Sequence, residues 1–339
     1  MRVWGRWSGG RIMTEPNMPA PASAKPRRAP GPLTVFNGTK PPAPEWFTAA
    51  LAAAPVRSLH TVRDAQIEAL SWGRVGAPGL LLMHGNGAHA NWWSFIAPQL
   101  AYAYHVVALS WSGMGGSQWR DAYSEALYAE EAFTVAQATG VFEGPVKPIF
   151  IGHSFGGFPT IYAAANGGER LGAVVLVDTP LRSREQRRAR RERLGHDGQR
   201  SMPGRPTVVY PTLAAAVQRF RLMPEQSCDN LFIVDHIART SLRAVPSAGY
   251  TWRFDPYLWS NYRQGDAEAQ LRVARCPVAL IWGDRSQLMP VEVVEHMQSL
   301  IAADSPAIAI ANADHHVMLD QPLAFVAELR RLLAGWPPT

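Results

Sequence analysis

The chain has 339 residues, of which 47% are hydrophobic and 18% are charged. This composition is typical of a folded protein with a large core, and it excludes a chain that is disordered throughout. No uninterrupted apolar run approaches the roughly 18 residues that span a bilayer, so we expect no membrane span. The net charge of +6 lies in residues 1–40, which hold seven basic side chains and one acidic side chain. The remaining residues sum to zero, which argues against an acidic partner.

The two cysteines, Cys228 and Cys276, are too few for a disulfide framework and lie in no Cys/His metal-binding pattern. We therefore expect a reducing, cytoplasmic setting, no metal and no cofactor. Residues 1–44 are rich in Pro, Ala and Arg without helical or strand periodicity, which predicts a disordered basic tail. The tail lacks the apolar core of a secretory signal. An organelle presequence fits its charge, but translation from Met13 or Met18 is the simpler explanation.

From residue 45 the pattern becomes that of regular structure. A helix-like stretch at 46–54 leads to two predicted strands at 60–65 and 67–72. Short apolar runs then alternate with helical stretches, at 79–83, 105–109, 148–151, 173–177, 277–282 and 307–311. Such runs are typical of strands buried on both faces of a parallel sheet, with helices as the crossovers. The sequence therefore predicts an α/β fold with a doubly wound, mostly parallel sheet.

About a hundred residues separate the strand at 173–177 from the strand at 277–282. They hold an Arg-rich segment, two helix-like stretches and an aromatic cluster, at 182–205, 213–223, 228–245 and 250–262. A structureless loop of this length is implausible, so we predict a helical lid at 181–265, inserted between core parts at 45–180 and 266–339. The arginines suit a solvated lid helix, or else a surface that attracts an anionic substrate or membrane. No nucleic-acid-binding fold accompanies them, so no nucleic-acid partner is expected.

The clearest motif is Gly152-His153-Ser154-Phe155-Gly156, directly after an apolar strand and before a helix-like run. A serine hydroxyl is a weak nucleophile, and a tight strand-to-helix turn flanked by glycines exposes it to a base. With this context the sequence resembles the α/β-hydrolase family over about residues 60–180 and 270–325. The resemblance implies that Ser154 is the nucleophile and that the site lies at the carboxyl ends of the strands.

The segment ending in His84-Gly85-Asn86 resembles the turn with which the family holds an oxyanion. The resemblance implies that the backbone N–H groups of Asn86 and Phe155 are the donors. His84 is expected to hold loops together by hydrogen bonds, and His89 to be solvated or, alternatively, to line the pocket. Farther along, the turn at 110–117 resembles the family's D-x-x-G-x-G-x-S loop with Ser110 in place of Asp, and its role is predicted to be structural.

The stretch 312–322 resembles the family's G-H-x-x-M-L-(D/E)-x-P segment, which follows the last strand. Alignment on Met318 and Leu319 makes His315 the general base, with His316 as the other possible register. A neutral imidazole takes the serine proton and later gives it to the leaving group.

The acid is where the sequence departs from the family. The usual G-x-x-D after the seventh strand has Ser286 at the acid position. Two replacements are available: Asp178, which ends the sixth strand, and Asp284, two residues before the usual position. We favour Asp178, because some family members use an acid there and both strand ends approach the same histidine. The alternative role for Asp178 is to cap a turn at the lid hinge.

Together these residues predict a cofactor-independent serine hydrolase that acts on a carboxylic ester or related acyl compound. A lid lined by aromatic residues favours a small, hydrophobic acyl substrate. Carbon–carbon bond hydrolases and lactonases use the same set of catalytic residues and are alternative functions, as are thioesterases, iminopeptidases and perhydrolases. Ser154 argues against dehalogenases and epoxide hydrolases, which use Asp as nucleophile. Because Ser286 stands where the family usually has an acid, a non-catalytic ligand-binding protein on the same scaffold is the alternative to an enzyme. The sequence indicates no oligomeric state.

Overall fold

The computed structural model describes residues 30–194, 204 and 206–336. The first 29 residues of the predicted tail and residues 195–203 and 205 of the Arg-rich segment lie outside the described residues. The strands are β1 (Val56–Val62), β2 (Ala65–Trp72), β3 (Gly79–Met83), β4 (His105–Leu109), β5 (Tyr123–Ser124), β6 (Ile149–His153), β7 (Ala173–Val177), β8 (Leu242–Val245), β9 (Gly249–Trp252), β10 (Tyr262–Arg263), β11 (Val278–Gly283) and β12 (Ala307–Ile310). The α-helices are α1 (Glu45–Ala52), α2 (Ala97–Leu100), α3 (Glu125–Ala138), α4 (Gly157–Gly167), α5 (Arg184–Leu194), α6 (Leu213–Val217), α7 (Leu231–Thr240), α8 (Ala267–Arg272), α9 (Val291–Gln298), α10 (Val317–Asp320) and α11 (Pro322–Gly335).

Eight strands form one sheet in the order β1-β2-β4-β3-β6-β7-β11-β12. β2 runs antiparallel to β1 and β4, and all other neighbours in this sheet are parallel. In the middle of the sheet, Leu81 of β3 lies opposite Val107 of β4 on one side and Phe150 of β6 on the other. The predicted α/β fold with a doubly wound, mostly parallel sheet is confirmed.

The central strands are buried at every position because helices cover both faces of the sheet. Leu80 and Leu82 of β3 point into a core shared with α1, α2 and α11. Leu81 and Met83 point to the other face, where α3, α4, α8 and α9 pack. Side chains alternate along a strand, so a strand covered on both faces is apolar at every position and not at every second one.

The first two strands differ in their bounds from the prediction of 60–65 and 67–72. β1 begins at Val56 and ends at Val62, and residues 63–64 form the turn that joins it to β2, with Arg63 at φ +53°. β1 is an edge strand, and its first six residues are exposed or half-buried. Because it carries no apolar run, the criterion that located the central strands missed its first half.

The prediction of a disordered tail through residue 44 is wrong for residues 30–44. Thr34–Phe36 form a 3-10 helix, and the preceding Leu33 is 1% exposed within the core. The guanidinium of Arg239 also donates to the Gly38 carbonyl at 2.8 Å. The partners of this segment lie about two hundred residues farther along the chain, so local composition did not indicate them.

The segment between β7 and β11 is not purely helical, and the helix predicted over 228–245 is shorter. Its helix α7 ends at Thr240, and β8 then pairs with β9 in an antiparallel hairpin in which Leu242 lies opposite Trp252. Ser247, in the turn between them, has φ +59°. Farther along, β10 pairs in parallel with β5, which joins this segment to the core. Its role as a lid stays a prediction.

Candidate active site

Ser154 occupies a tight turn at the carboxyl end of β6. The strand ends at His153, and Ser154 has φ +52°, a left-handed conformation that projects a side chain out of the turn. Both flanking glycines are required, because a side chain at either position would collide with backbone. A Cβ at Gly152 would lie 2.6 Å from the Gly156 carbonyl oxygen, and a Cβ at Gly156 would lie 2.5 Å from the His84 carbonyl oxygen. The Ser154 side chain is half-buried, and α4 begins three residues later.

The structure brings His315 and Asp178 into direct contact. His315 Nδ1 lies 2.7 Å from Asp178 Oδ1, and both side chains are buried. Asp178 follows β7, while His315 lies in the loop after β12. Ser154, Asp178, Ser286 and His315 thus follow β6, β7, β11 and β12, four neighbouring strands whose carboxyl ends share one edge of the sheet.

The Asp178 carboxylate is held by three donors. Oδ1 accepts from His315 Nδ1 and, at 2.8 Å, from the Ser286 hydroxyl, while Oδ2 accepts from the Gly283 N–H at 3.0 Å. A carboxylate held in this way remains an acceptor and fixes the proton of the His315 ring on Nδ1. The lone pair of that ring is then on Nε2.

Asp284, the alternative acid, is not part of this arrangement. Its side chain is exposed and forms no hydrogen bond within the described residues. Its backbone N–H donates to the Ile310 carbonyl at 3.1 Å, which continues the pairing of β11 with β12.

The turn that follows β3 lies against the Ser154 turn. A Cβ at Gly85 would lie 3.1 Å from Ser154 Cβ, which shows how closely the two turns approach. Within the described residues, the N–H groups of Asn86 and Phe155 donate no hydrogen bond. The side chain of Asn86 is fixed by Trp259, whose Nε1–H donates to Asn86 Oδ1 at 3.1 Å. The turns that carry these two N–H groups thus lie against each other at Ser154.

Aromatic side chains from the segment between β7 and β11 cover this turn. The ring of Phe155 contacts Trp259 and Tyr262 edge-on, with centroids 5.3 and 5.5 Å apart. Trp259 also contacts Tyr262, at 5.2 Å. The predicted aromatic cluster thus packs partly onto the residue after the serine.

The sequence profile of the alpha/beta hydrolase family matches residues 80–329, well over half of the chain. The chain belongs to the alpha/beta hydrolase family. Esterase Rv0045c of Mycobacterium tuberculosis is 25% identical over 294 residues, covering 82% of this chain and 90% of that protein. The pimeloyl-acyl-carrier-protein methyl ester esterase of Edwardsiella ictaluri is 25% identical over 288 residues, covering 79% and 99%. The thioesterase domain of the curacin biosynthetic pathway shares the fold, with a TM-score of 0.65 at 22% identity over 82% of this chain and 99% of that domain.

His84 has the structural role that the sequence analysis expected of it in this hydrolase. The Trp111 N–H donates to His84 Nε2 at 3.1 Å, so the ring proton is on Nδ1, which donates to the Gly85 carbonyl at 2.7 Å. Burial lowers the pKa of His84 to about 4, which keeps the ring neutral. His84 therefore joins the turns after β3 and β4.

His89 is buried, so the expectation that it is solvated is wrong, while its alternative role in lining the pocket stays a prediction. It is 1% exposed, and its Nε2 lies 3.0 Å from the Ser241 hydroxyl, which itself donates to the Ile237 carbonyl. The ring therefore donates from Nε2, and burial holds the pKa of His89 well below its usual value. This contact ties the turn after β3 to the end of α7, a long-range packing that a loop sequence does not reveal.

Glu68, which the sequence analysis missed, supplies the carboxylate that this hydrolase lacks at Ser110. Its buried side chain on β2 accepts from the Ser110 hydroxyl at 2.7 Å and from the Gly116 N–H at 2.9 Å, and it pairs with Arg57. The Ser110 hydroxyl in turn accepts from the Ala90 N–H at 3.0 Å. The turn at 110–117 is thus held by an acid on a neighbouring strand. An isolated glutamate within an apolar strand was the available signal.

Three buried histidines meet beside the serine, a grouping that the sequence analysis also missed. One ring nitrogen each from His153, His315 and His316 lies within 4.8 Å of the others. His153 Nε2 donates to the His315 carbonyl at 3.1 Å. His316, the other register for the base, has both ring nitrogens buried, and its ring faces the Met223 backbone and packs against Trp92. The signals were the histidine in the serine motif and the adjacent pair at 315–316.

The part of the chain that the structure describes contains no helix long and apolar enough to cross a membrane.

Proposed function

We propose that this protein is a serine hydrolase that cleaves a carboxylic ester or closely related acyl compound through an acyl-enzyme. The contact that carries the proposal is the 2.7 Å hydrogen bond between His315 Nδ1 and Asp178, at the same sheet edge as Ser154. It leaves the His315 Nε2 lone pair for the serine proton. Ester chemistry is further supported by the two esterases among the relatives.

In the first half of the reaction, Ser154 Oγ attacks the carbonyl carbon while its proton passes to His315 Nε2. Asp178 stabilises the imidazolium, and the N–H groups of Asn86 and Phe155 donate to the oxyanion. Each such donor typically contributes about 3–4 kcal/mol to transition-state stabilisation. His315 then gives the proton to the departing alkoxide, which leaves an acyl group on Ser154.

In the second half, water attacks the acyl carbonyl and gives a proton to His315, and the same two amides hold the second oxyanion. Collapse of that intermediate releases the carboxylic acid and returns the proton to Ser154. The aromatic side chains of Phe155, Trp259 and Tyr262 beside the amides favour a hydrophobic acyl group.

Ser286 does not weaken this proposal, although it stands where the family usually has its acid. Its hydroxyl donates to Asp178 Oδ1 at 2.8 Å and so supports the carboxylate that contacts His315. The hypothesis of a non-catalytic binding protein was motivated by the missing acid at position 286. Asp178 supplies a carboxylate to His315 instead, which removes that motivation.

The test is covalent labelling with a fluorophosphonate, followed by intact-mass measurement. We expect one adduct on the wild type and none on Ser154→Ala, because only a deprotonated serine attacks phosphorus efficiently. Ser58→Ala is the matched control: Ser58 Oγ lies 2.8 Å from His60 Nε2 on the edge strand β1, and within the described residues no carboxylate is hydrogen-bonded to that ring, so this variant should label fully. An unlabelled, folded wild type would contradict the proposal and favour ligand binding.

A further inference from the structure

The loop that carries His315 is held by a side chain from the segment between β7 and β11. We infer that Gln226 of that segment and Asp320, together called the amide–carboxylate bridge below, are positioning residues for His315. They bond to the backbone on both sides of the histidine and so fix where its ring lies. The inference rests on the proposed function, because the position of this ring matters for turnover only if His315 is the base.

The bridge is a continuous chain of hydrogen bonds. Gln226 Nε2 donates to both carboxylate oxygens of Asp320, at 3.0 and 2.8 Å, and Gln226 Oε1 accepts from the His316 N–H at 3.1 Å. Asp320 Oδ2 also accepts from the Asp314 N–H at 2.8 Å. The two N–H groups that flank His315 are therefore tied to one pair of side chains. Within the described residues neither N–H donates to a main-chain carbonyl, so the bridge is what holds them.

The partners of Gln226 explain why an amide stands at this position. A backbone N–H requires an acceptor and an ionised carboxylate requires a donor, and an amide side chain supplies both. Burial raises the pKa of Asp320 to about 6, which leaves its carboxylate ionised at pH 7.5. Hydrogen bonds to an ionised acceptor are roughly twice as strong as neutral ones, so the Asp314 N–H is held firmly.

Gln226 is itself fixed, although residues 223–230 form no helix or strand. Asn230 Nδ2 donates to two main-chain carbonyls of α10, at 2.8 and 3.1 Å, and α7 begins at the next residue. At the other end of this stretch, the Met223 backbone faces the His316 ring. The stretch therefore lies along the histidine loop and presents the Gln226 amide to it in a fixed position.

The bridge complements the contact between His315 and Asp178. Asp178 restrains one atom of the ring, Nδ1, at 2.7 Å, and the ring can still pivot about that atom unless its backbone is fixed. In the proposed reaction the proton of Ser154 passes to the opposite nitrogen, Nε2, which a pivot displaces most. A displacement of about 1 Å at a reacting group can lower the rate about 100-fold. Loss of the bridge is therefore expected to slow proton transfer without removing any group that takes part in it.

The first test compares kcat and KM for a short-chain p-nitrophenyl ester at pH 7.5. Gln226→Ala should lower kcat about 10- to 100-fold and change KM less than about threefold, since the ring position affects proton transfer and not substrate binding. Gln186→Ala is the matched control, because Gln186 also lies between β7 and β11 and its amide donates to the Glu292 carbonyl of α9 at 2.7 Å. This variant should retain the wild-type kcat. An unchanged kcat in Gln226→Ala would overturn the inference.

An exchange of the two side chains separates positioning from a general effect on folding. Gln226→Glu alone places two carboxylates together without a proton between them, and it should lower kcat at least as far as Gln226→Ala. Adding Asp320→Asn restores the pattern of donors and acceptors: the new amide donates to the new carboxylate, which accepts from the His316 N–H, and the amide oxygen accepts from the Asp314 N–H. The exchanged pair should recover most of kcat. A pair that is folded by its Tm but no more active than Gln226→Glu would contradict the inference.

A measurement without turnover keeps this result separate from the proposed function. The His315 Nδ1–H, bonded to a carboxylate, should give a downfield proton NMR signal in the wild type. Gln226→Ala should broaden or abolish this signal, because a pivoting ring exchanges its proton with water, and Gln186→Ala should keep it. Loss of the signal in Gln226→Ala, from a wild type without esterase activity, would support the bridge while refuting the proposed hydrolysis. An unchanged signal and an unchanged kcat in an active enzyme would overturn the bridge alone.

Discussion

Replacing Asp178 by Asn tests how the site controls the tautomer of His315. The Gly283 N–H donates to Asp178 Oδ2 at 3.0 Å, so in the variant the amide oxygen is expected at that position. The amide NH₂ group then faces His315 Nδ1 and the Ser286 hydroxyl, which can accept from it. His315 must present a lone pair at Nδ1, and its proton moves to Nε2, where it cannot accept the proton of Ser154.

The expected loss in kcat/KM is about 10³- to 10⁴-fold, the effect of the wrong tautomer in serine hydrolases. This corresponds to about 4–5.5 kcal/mol of transition-state stabilisation. Stability should change far less, because the asparagine can form a hydrogen bond with each of the three groups that the aspartate contacts. A large kinetic effect with a small shift in Tm is therefore the signature of the tautomer mechanism.

The assay compares kcat/KM for a short-chain p-nitrophenyl ester among wild type, Asp178→Asn and Asp284→Asn, with Tm measured on the same samples. Asp284→Asn is the matched control, because that side chain is exposed and forms no hydrogen bond within the described residues, and it should retain wild-type activity. Wild-type activity in Asp178→Asn would refute the reasoning. A loss confined to Asp284→Asn would move the acid to β11.

Two other predictions concern stability. Glu68→Gln should lower the free energy of unfolding in urea by about 1–3 kcal/mol, since the Ser110 hydroxyl and the Gly116 N–H lose a charged acceptor. Adding Ser110→Asp to this variant returns a carboxylate to the turn and should recover part of the lost stability. A Glu68→Gln variant as stable as the wild type would contradict the role of Glu68 in holding the turn. Burial also lowers the pKa of His84 to about 4 and that of His153 to about 3, so the unfolded chain binds more protons between pH 6.5 and about 3. These two histidines together should lower the free energy of unfolding by about 4 kcal/mol from pH 7.5 to 5, with the raised pKa of Asp320 opposing part of this fall. Equal free energies at both pH values would be inconsistent with buried neutral histidines.

Local pattern predicted the centre of the fold well. The predicted runs at 79–83, 105–109 and 173–177 have the bounds of β3, β4 and β7, because strands covered on both faces are buried at every position and are therefore largely apolar. It predicted the periphery less well: β1 is exposed along most of its length, and the 30–44 segment is stabilised by residues far along the chain. Neither β1 nor the segment 30–44 has the run of apolar residues from which the central strands were predicted.

In the candidate site, too, features with a local sequence pattern were predicted well and contacts between distant residues were not. The turns around Ser154 and Asn86 have local signatures, because Gly152 and Gly156 pack against backbone oxygens and Gly85 packs closely against the side chains of His153 and Ser154. The candidate acid, Asp178, has no such local signature. Its contact with His315 joins residues 137 apart in the sequence, and only the order of the strands in the sheet brings them together. Glu68, which takes over the function of an acid at position 110, lies 42 residues from Ser110, so the motif alone indicated only a missing group.

The hydrogen bond between Ser286 and Asp178 has a consequence for the evolutionary history of the site. Because 2.8 Å separates the Ser286 hydroxyl from Asp178 Oδ1, carboxylates at the ends of β7 and β11 would approach the same imidazole nitrogen. A descendant that acquired an aspartate at 286 would carry two acids sharing one proton, with a raised pKa for the pair, while His315 kept a partner throughout. Under the proposed function, loss of either carboxylate from such a descendant would leave the other one beside His315.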